Sequence, residues 1–222
     1  MKVHCADSNL VNIVPLWNDI DIPRSRFNEL VTIAEEHDGL VTAEQARQSG
    51  VTDSVLARLV QRGRLERTSR GVYRIPYFPP GRFSQYLEAV LWARANRGPE
   101  AVAISHLTAL NVYGISDANP ALIHLTVPSS ARLRRQQPKG VVVHRNSLME
   151  NDIRIHEGIP VTTISRTVYD LLSSGARVDL IRQAILEARR EGFIEESEAR
   201  RLRHKVDLHL RDLRDHDGAN DI

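Results

Sequence analysis

The run TAEQARQSGVTDSVLARLVQRGRLERTSRGVYRI, from Thr42 to Ile75, decides the fold of the front of this chain. Thr42 can cap a short helix through Gln48, with Glu44 and Gln45 beside the positive end of its dipole. Gly50 permits a tight turn. Thr52 is a second N-cap, opening a helix from Asp53 to Arg62 in which Val55, Leu56, Leu59 and Val60 recur at helical spacing, and Gly63 is placed as its C′ residue. Short helix, glycine turn and capped helix is the spacing of a helix-turn-helix, whose second helix can lie in a DNA major groove. Two strand-like runs follow, Arg64 to Arg67 and Gly71 to Ile75, joined by Thr68-Ser69-Arg70-Gly71, and these read as a wing.

In that arrangement Leu65, Val72 and Ile75 cover the core, while Arg64, Arg67, Arg70 and Arg74 project toward a phosphate backbone. Base reading falls to exposed positions near the start of the second helix, Asp53, Ser54, Ala57, Arg58 and Gln61. Arg58 is the first candidate, because an arginine can pair bidentately with guanine. The expected DNA-binding set is Thr52, Ser54, Arg58, Gln61, Arg62, Arg64, Arg67, Arg70 and Arg74.

Charge is informative here only through its position. The 222 residues carry 30 basic and 28 acidic side chains, a formal net charge of +2, so the total points to no partner. Only Lys2, Lys139 and Lys205 are lysine, which fits Arg-favouring codon usage as well as phosphate recognition. Between Thr42 and Ile75, however, seven arginines face three acids, Glu44, Asp53 and Glu66. A second basic run, Arg132, Arg134, Arg135, Lys139 and Arg145, has no acid from Ser129 to Arg145, and its Arg132–Lys139 part reads as a loop able to contact DNA or an acidic protein surface. The residues from Val206 onward are weighted toward aspartate and offset these segments.

A hydrophobic content of 41% supports a sizeable core. Cys5 stands alone and excludes an internal disulfide, and no stretch is apolar for the roughly 18 residues a membrane span needs. The first residues show no apolar core followed by a small-residue cleavage site, so a cytoplasmic location is expected.

Residues 1–25 read as an arm. From Arg26 a helical stripe of Phe27, Leu30, Val31 and Ala34 runs to a stop at Gly39, and Pro76-Tyr77-Phe78-Pro79-Pro80-Gly81 reads as a linker. The expected division is 1–25 arm, 26–78 winged helix-turn-helix, 79–205 α+β domain and 206–222 acidic tail. In the rear part Arg82 to Arg97 is helical, and Pro99 can start a helix carrying Val102, Ile104, Leu107, Leu110 and Val112. Leu122 to Val127 and Val141 to His144 read as strands, and Ile153 to Ile155 with Ile159 to Val161 as a hairpin around Glu157-Gly158. Thr163 or Ser165 caps a helix through Leu172, and Val178 to Arg190 supplies another. The fold class is therefore α+β, an N-terminal winged helix-turn-helix followed by a mixed α/β domain with a small sheet and packed helices.

His106, His124, His144 and His156 have neither HExxH spacing nor a cysteine partner, so no metal, cofactor or catalytic residue is read from them. Ser105 and His106 are expected to point apart on a helix, with His106 bonding a nearby carbonyl. Arg166 and Asp170 are expected to form an exposed pair four residues apart, contributing a few tenths of a kcal/mol at about the level of surface pairs.

Gly39-Leu40-Val41-Thr42-Ala43-Glu44-Gln45-Ala46, Gly50-Val51-Thr52, Leu56 to Leu65 and Arg70-Gly71-Val72-Tyr73-Arg74 resemble the N-terminal winged helix of AbiEi-type antitoxins of type IV toxin–antitoxin systems. Ile104 to Leu110 with Tyr113-Gly114-Ile115, Ile123 to Pro128, Val143-His144-Arg145 and Gly158 to Leu171 are similar to that family's second domain. The resemblance implies a transcriptional autorepressor, without enzymatic activity, that binds an inverted-repeat operator in double-stranded DNA and counteracts a nucleotidyltransferase-type toxin. A monomer or weak dimer, cooperative on DNA, is expected. The alternative is a stand-alone winged-helix regulator whose rear domain senses a ligand or dimerises. A Vsr-like endonuclease domain, which follows a similar front half in some proteins, does not fit the helices and acidic end after Leu171.

Overall fold

The computed structural model describes residues 24–95, 101–133 and 136–218, with side chains described from Arg26 to Leu213 except at the two gaps. Of the arm expected over 1–25, residues 1–23 lie outside the described residues, as do Arg134 and Arg135, and its last two residues belong to the first helix.

The front unit begins with α1 (Arg24–Glu35), whose Phe27, Leu30 and Ala34 are buried as the helical stripe requires. Its C-terminal end is closed by Gly39, at φ +80°, whose N–H donates to the Ala34 carbonyl at 2.7 Å. Then come β1 (Leu40–Thr42), α2 (Ala43–Gln48), α3 (Asp53–Gln61), β2 (Glu66–Ser69) and β3 (Val72–Arg74). The wing has three strands rather than two: β1 pairs antiparallel with β3, giving the order β1-β3-β2. Three apolar-to-polar residues before a helix cap are too few to read as a strand without their partner.

The rear unit comprises α4 (Ser84–Arg94), β4 (Ala103–Ile104), α5 (His106–Tyr113), β5 (Ile123–Pro128), β6 (Val141–Asn146), β7 (Ile153–His156), β8 (Ile159–Thr162), α6 (Ile164–Ser173), α7 (Val178–Arg190) and α8 (Glu196–Gly218). The five strands form a mixed sheet in the order β6-β5-β4-β8-β7, with β5–β6 and β4–β8 parallel. Glu157 and Gly158, at φ +46° and +77°, make the two-residue turn of the β7–β8 hairpin.

Two expectations need correcting. Pro99 lies outside the described residues, and the helix expected from it does not run through Ile104: Ala103–Ile104 is a strand, because β5 and β8 flank it and take up its backbone hydrogen bonds, and α5 begins only at His106. The boundary at 206 falls inside α8, where Leu202 and Val206 are buried, so the acidic end continues a packed helix.

The two units share a core. Eight of the eleven residues of α4 are buried, and only Gln85, Glu88 and Arg94 are not. A helix apolar on all sides must be covered on all sides. On one side α4 packs on β1, β2 and β3, where Leu40 and Val72 join its apolar cluster; on the other it packs on β4, β5 and β8. The proline-rich linker is thus a short packed turn. Phe78 covers Gly39, and the Ser84 hydroxyl donates to Asp38 Oδ2 at 3.0 Å.

At Gly39 a Cβ would meet Phe78 Cβ at 2.4 Å in a backbone that already requires positive φ. Gly39→Ala is expected to cost about 2 to 4 kcal/mol, the sum of left-handed strain and overpacking. Gly63→Ala, at φ +68° with open space around it, meets only the backbone term of about 1 to 2 kcal/mol. Urea midpoints at unchanged m-value measure both, and equal losses would show that Phe78 yields freely.

Candidate nucleic-acid interface

The helix-turn-helix is closed by local hydrogen bonds. Thr42 and Gln45 form a capping box: Thr42 Oγ1 accepts from Gln45 N–H at 3.2 Å, and Gln45 Oε1 accepts from Thr42 N–H at 2.8 Å. Arg26 of α1 reaches across the turn and donates to the Gly50 carbonyl at 3.0 Å. Arg47 pairs with Glu44 at 2.6 Å and with Asp53 at 3.3 Å, tying α2 to the first turn of α3. This partly neutralises the carboxylate that stands among the proposed base readers. Sequence reading placed both acids but missed the Arg26 and Arg47 contacts, which depend on how the helices cross.

In α3, Leu56 and Leu59 are buried and Val55 and Val60 half-buried, all against the front core. The opposite face is open. Thr52, Asp53, Ser54, Ala57, Arg58, Gln61 and Arg62 are all exposed. Thr52 occupies the N-cap position but makes no side-chain cap bond; its hydroxyl lies 2.9 Å from that of Ser54. The first N–H groups of α3 therefore remain available at an exposed, positive helix end, the arrangement that favours phosphate oxygens.

The wing arginines divide. Arg67 is exposed on the edge strand β2, and Arg70 is exposed at the hairpin turn. Arg64 is half-buried just before β2. Arg74 departs from the expectation that it projects outward. It lies two positions from Val72 on the central strand, hence on the face turned to α4, and donates to the Asp38 carbonyl at 3.2 Å. Arg74 belongs to the junction between the units.

Arg132 and Lys139 are both exposed. Lys139 lines a cleft of about 140 Å³ together with Ser69 of the wing and Glu88 and Trp92 of α4. One end of the basic loop thus lies beside the hairpin, a proximity that no sequence spacing indicates.

Farther back, Arg166 and Asp170 are not the exposed pair expected. Their side chains are 10% and 2% exposed, and Arg166 Nε donates to Asp170 Oδ1 at 2.9 Å. Arg166 also donates to Asp152 Oδ2 at 2.9 Å and to the Ser147 carbonyl, which fastens α6 to the segment between β6 and β7. Burial pushes the Asp170 carboxyl up, against the opposing pull of Arg166. Thr163, not Ser165, caps this helix, accepting from Arg166 N–H at 3.3 Å.

The histidines also depart from expectation. Ser105 precedes the helix and His106 opens it at φ +54°, so their side chains meet, with His106 Nδ1 2.9 Å from Ser105 Oγ rather than on a carbonyl. His106, His124 and His144, read separately as structural, come together: their ring nitrogens lie within 4.8 Å of one another. Burial holds all three below the ordinary histidine range, and His106, also facing His144, His124 and Arg166, falls to about 3. His156 stands apart, packed on Tyr113 and Phe193.

Residues 28–76 match the family model described as transcriptional regulator, AbiEi antitoxin. Over those residues the front unit is similar to AbiEi-type antitoxin regulators. The match runs from within α1 to just past β3, so it covers the winged helix-turn-helix. No curated protein matches the chain. Among solved structures, the RV2827C protein from Mycobacterium tuberculosis has a similar fold, with a TM-score of 0.50 and 16% identity over 83% of this chain and 72% of that one. That fold likeness extends well beyond the AbiEi-type segment. No helix among the described residues is long and apolar enough to cross a membrane.

Removing Arg166 leaves the Asp170 carboxyl buried without its partner. Arg166→Ala is expected to destabilise the chain by about 3 to 5 kcal/mol, whereas the double variant Arg166→Met/Asp170→Leu recovers most of that loss. Denaturant unfolding of the three proteins checks it, and a single-variant cost under about 1 kcal/mol would place the pair in the surface class.

Proposed function

We propose that the chain is an antitoxin that binds its own promoter as an autorepressor and counteracts a nucleotidyltransferase-type toxin. The observation that carries the DNA part is the fully exposed polar face of α3, Thr52 to Arg62, held by a buried apolar face and flanked by Arg67 and Arg70. In this reading α3 enters the major groove, Arg58 reads a guanine, and Thr52, Ser54, Gln61 and Arg62 contact neighbouring bases or phosphates. Arg64, Arg67 and Arg70 position the protein on the backbone. Arg74 acts only through the junction it braces, and Lys139 with Arg132 extends the basic surface from the side of the wing.

The operator is an inverted repeat loaded by two copies, each chain a monomer or weak dimer that cooperates on DNA. The α+β part from 79 onward, which includes α4, forms the toxin-directed domain. The front-domain match and the two-part fold support this assignment; the toxin itself is inferred from the family resemblance. The reading assigns no catalytic step to the chain, and the work is expected in the cytoplasm.

Fluorescence anisotropy with the chain's own upstream region is expected to show a specific complex whose log affinity falls steeply with log salt, by about 0.9 for each phosphate contact. Arg58→Ala should relax preference at one operator base, at about 1 to 3 kcal/mol of lost discrimination. Arg67→Ala and Arg70→Ala should each weaken binding to every sequence and reduce the salt slope by about one. Binding unchanged in all three variants would remove the DNA surface. Co-purification with the product of the adjacent reading frame tests the toxin; a stand-alone regulator brings down no nucleotidyltransferase-like partner.

A further inference from the structure

His106, His124 and His144 reach one spot from three separate elements. On the parallel pair β5–β6, His124 is in register with Val142 and His144 with Thr126, so both histidines lie on one face, two positions apart. The start of α5, which packs on β5, brings His106 over them. The His106 and His144 rings stack with centroids 3.6 Å apart, and His124 Nδ1 is 2.9 Å from His144 Nε2.

Each ring has a nitrogen facing this spot, and a second nitrogen left for an outer partner. For His106 that outer partner is the Ser105 hydroxyl, itself fully buried. A ligating histidine that passes its other ring N–H to a fixed acceptor is the usual outer-shell arrangement of a metal site. Thr126, directly across from His144 on the same sheet face, has a buried hydroxyl with no hydrogen-bond partner among the described residues. His106 itself adopts positive φ, which costs a residue with a Cβ about 1 to 2 kcal/mol and puts its ring beside Ser105 instead of along the helix.

We propose that His106, His124 and His144 form a binding site for a divalent cation of the zinc class. His106 ligates through Nε2, His124 through Nδ1 and His144 through Nε2, with Ser105 Oγ holding the first ring. Zinc–nitrogen bonds of about 2.0 to 2.1 Å in a tetrahedron put the ligand atoms about 3.3 Å apart, so on binding the 2.9 Å His124–His144 contact opens slightly and the stacked His106 and His144 rings swing apart. Three nitrogen ligands leave the fourth position for water or an incoming donor, on the side where His124 and His144 are half-exposed. The three-imidazole set favours zinc, copper, nickel or cobalt over magnesium and calcium, which require oxygen ligands. A bound ion ties α5 to β5 and β6, on the sheet that supports α4.

The experiment uses the full chain, stripped with a chelator and titrated with zinc by calorimetry and with cobalt by absorption. One equivalent of zinc is expected to bind and raise the melting temperature, and cobalt should give the visible bands of a tetrahedral nitrogen site. His124→Gln and His144→Gln, both at half-buried positions, should lose that equivalent while keeping the circular dichroism and the promoter affinity of the unsubstituted protein. Ser105→Ala should weaken zinc binding by about tenfold or more. His156→Gln, outside the cluster, should change neither. Absence of stoichiometric uptake, or its persistence in the His124→Gln/His144→Gln double variant, overturns the site. Because DNA binding is measured alongside, loss of the metal site and failure of the regulator reading give separate results.

Discussion

The structure depends on the two-sided burial of α4. A helix with Tyr86, Leu87, Ala89, Val90, Leu91, Trp92 and Ala93 all withdrawn from water cannot sit on one sheet; it has to be a layer between two. The three-stranded wing sheet covers one side and the five-stranded sheet the other. Each large side chain so enclosed contributes about 1.5 to 3 kcal/mol, and dividing the units would return Leu40, Val72 and much of α4 to water together. The winged helix-turn-helix is therefore not a module on a flexible tether.

That constraint orders the surface. Because the back of the wing sheet is occupied by α4, its arginines cannot all face outward, and strand alternation takes Arg74 into the junction with Asp38. The same packing sets the hairpin beside Lys139 at the far end of the basic loop. A chain almost neutral in total thus brings a cation of the basic loop, Lys139, beside the wing hairpin that carries Arg67 and Arg70. Arg47, paired with Glu44 and Asp53, serves geometry as much as charge.

The rear sheet carries two buried polar assemblies at the beginnings of its helices. Arg166 binds α6 to Asp152, Ser147 and Asp170, and His124 and His144 gather under His106, the first residue of α5. The positive charge of Arg166 is also one reason His106 stays neutral. In a low-dielectric setting such groups are costly unless matched, so they hold each helix start to one position on the sheet.

Much of the fold was legible locally. The cap at Thr42, the glycine at 50, the stripe of Leu56 and Leu59, the β7–β8 turn at Glu157-Gly158 and the helix from Val178 to Arg190 follow from backbone sterics and periodicity, which act over a few residues. The exposed face of α3 followed too, because a helix with one apolar stripe has only one other side. Tertiary structure alone decided the rest. Two residues at 103 and 104 become a strand only because β5 and β8 lie on either side, and Arg166 is buried only because the segment at Ser147 to Asp152 closes over it. His106, His124 and His144 are 18 and 20 positions apart, and no local pattern links them; parallel register and the seating of α5 bring them together. Short-range sterics are written in neighbouring residues, whereas convergence of distant side chains exists only once the sheet has fixed its strand order.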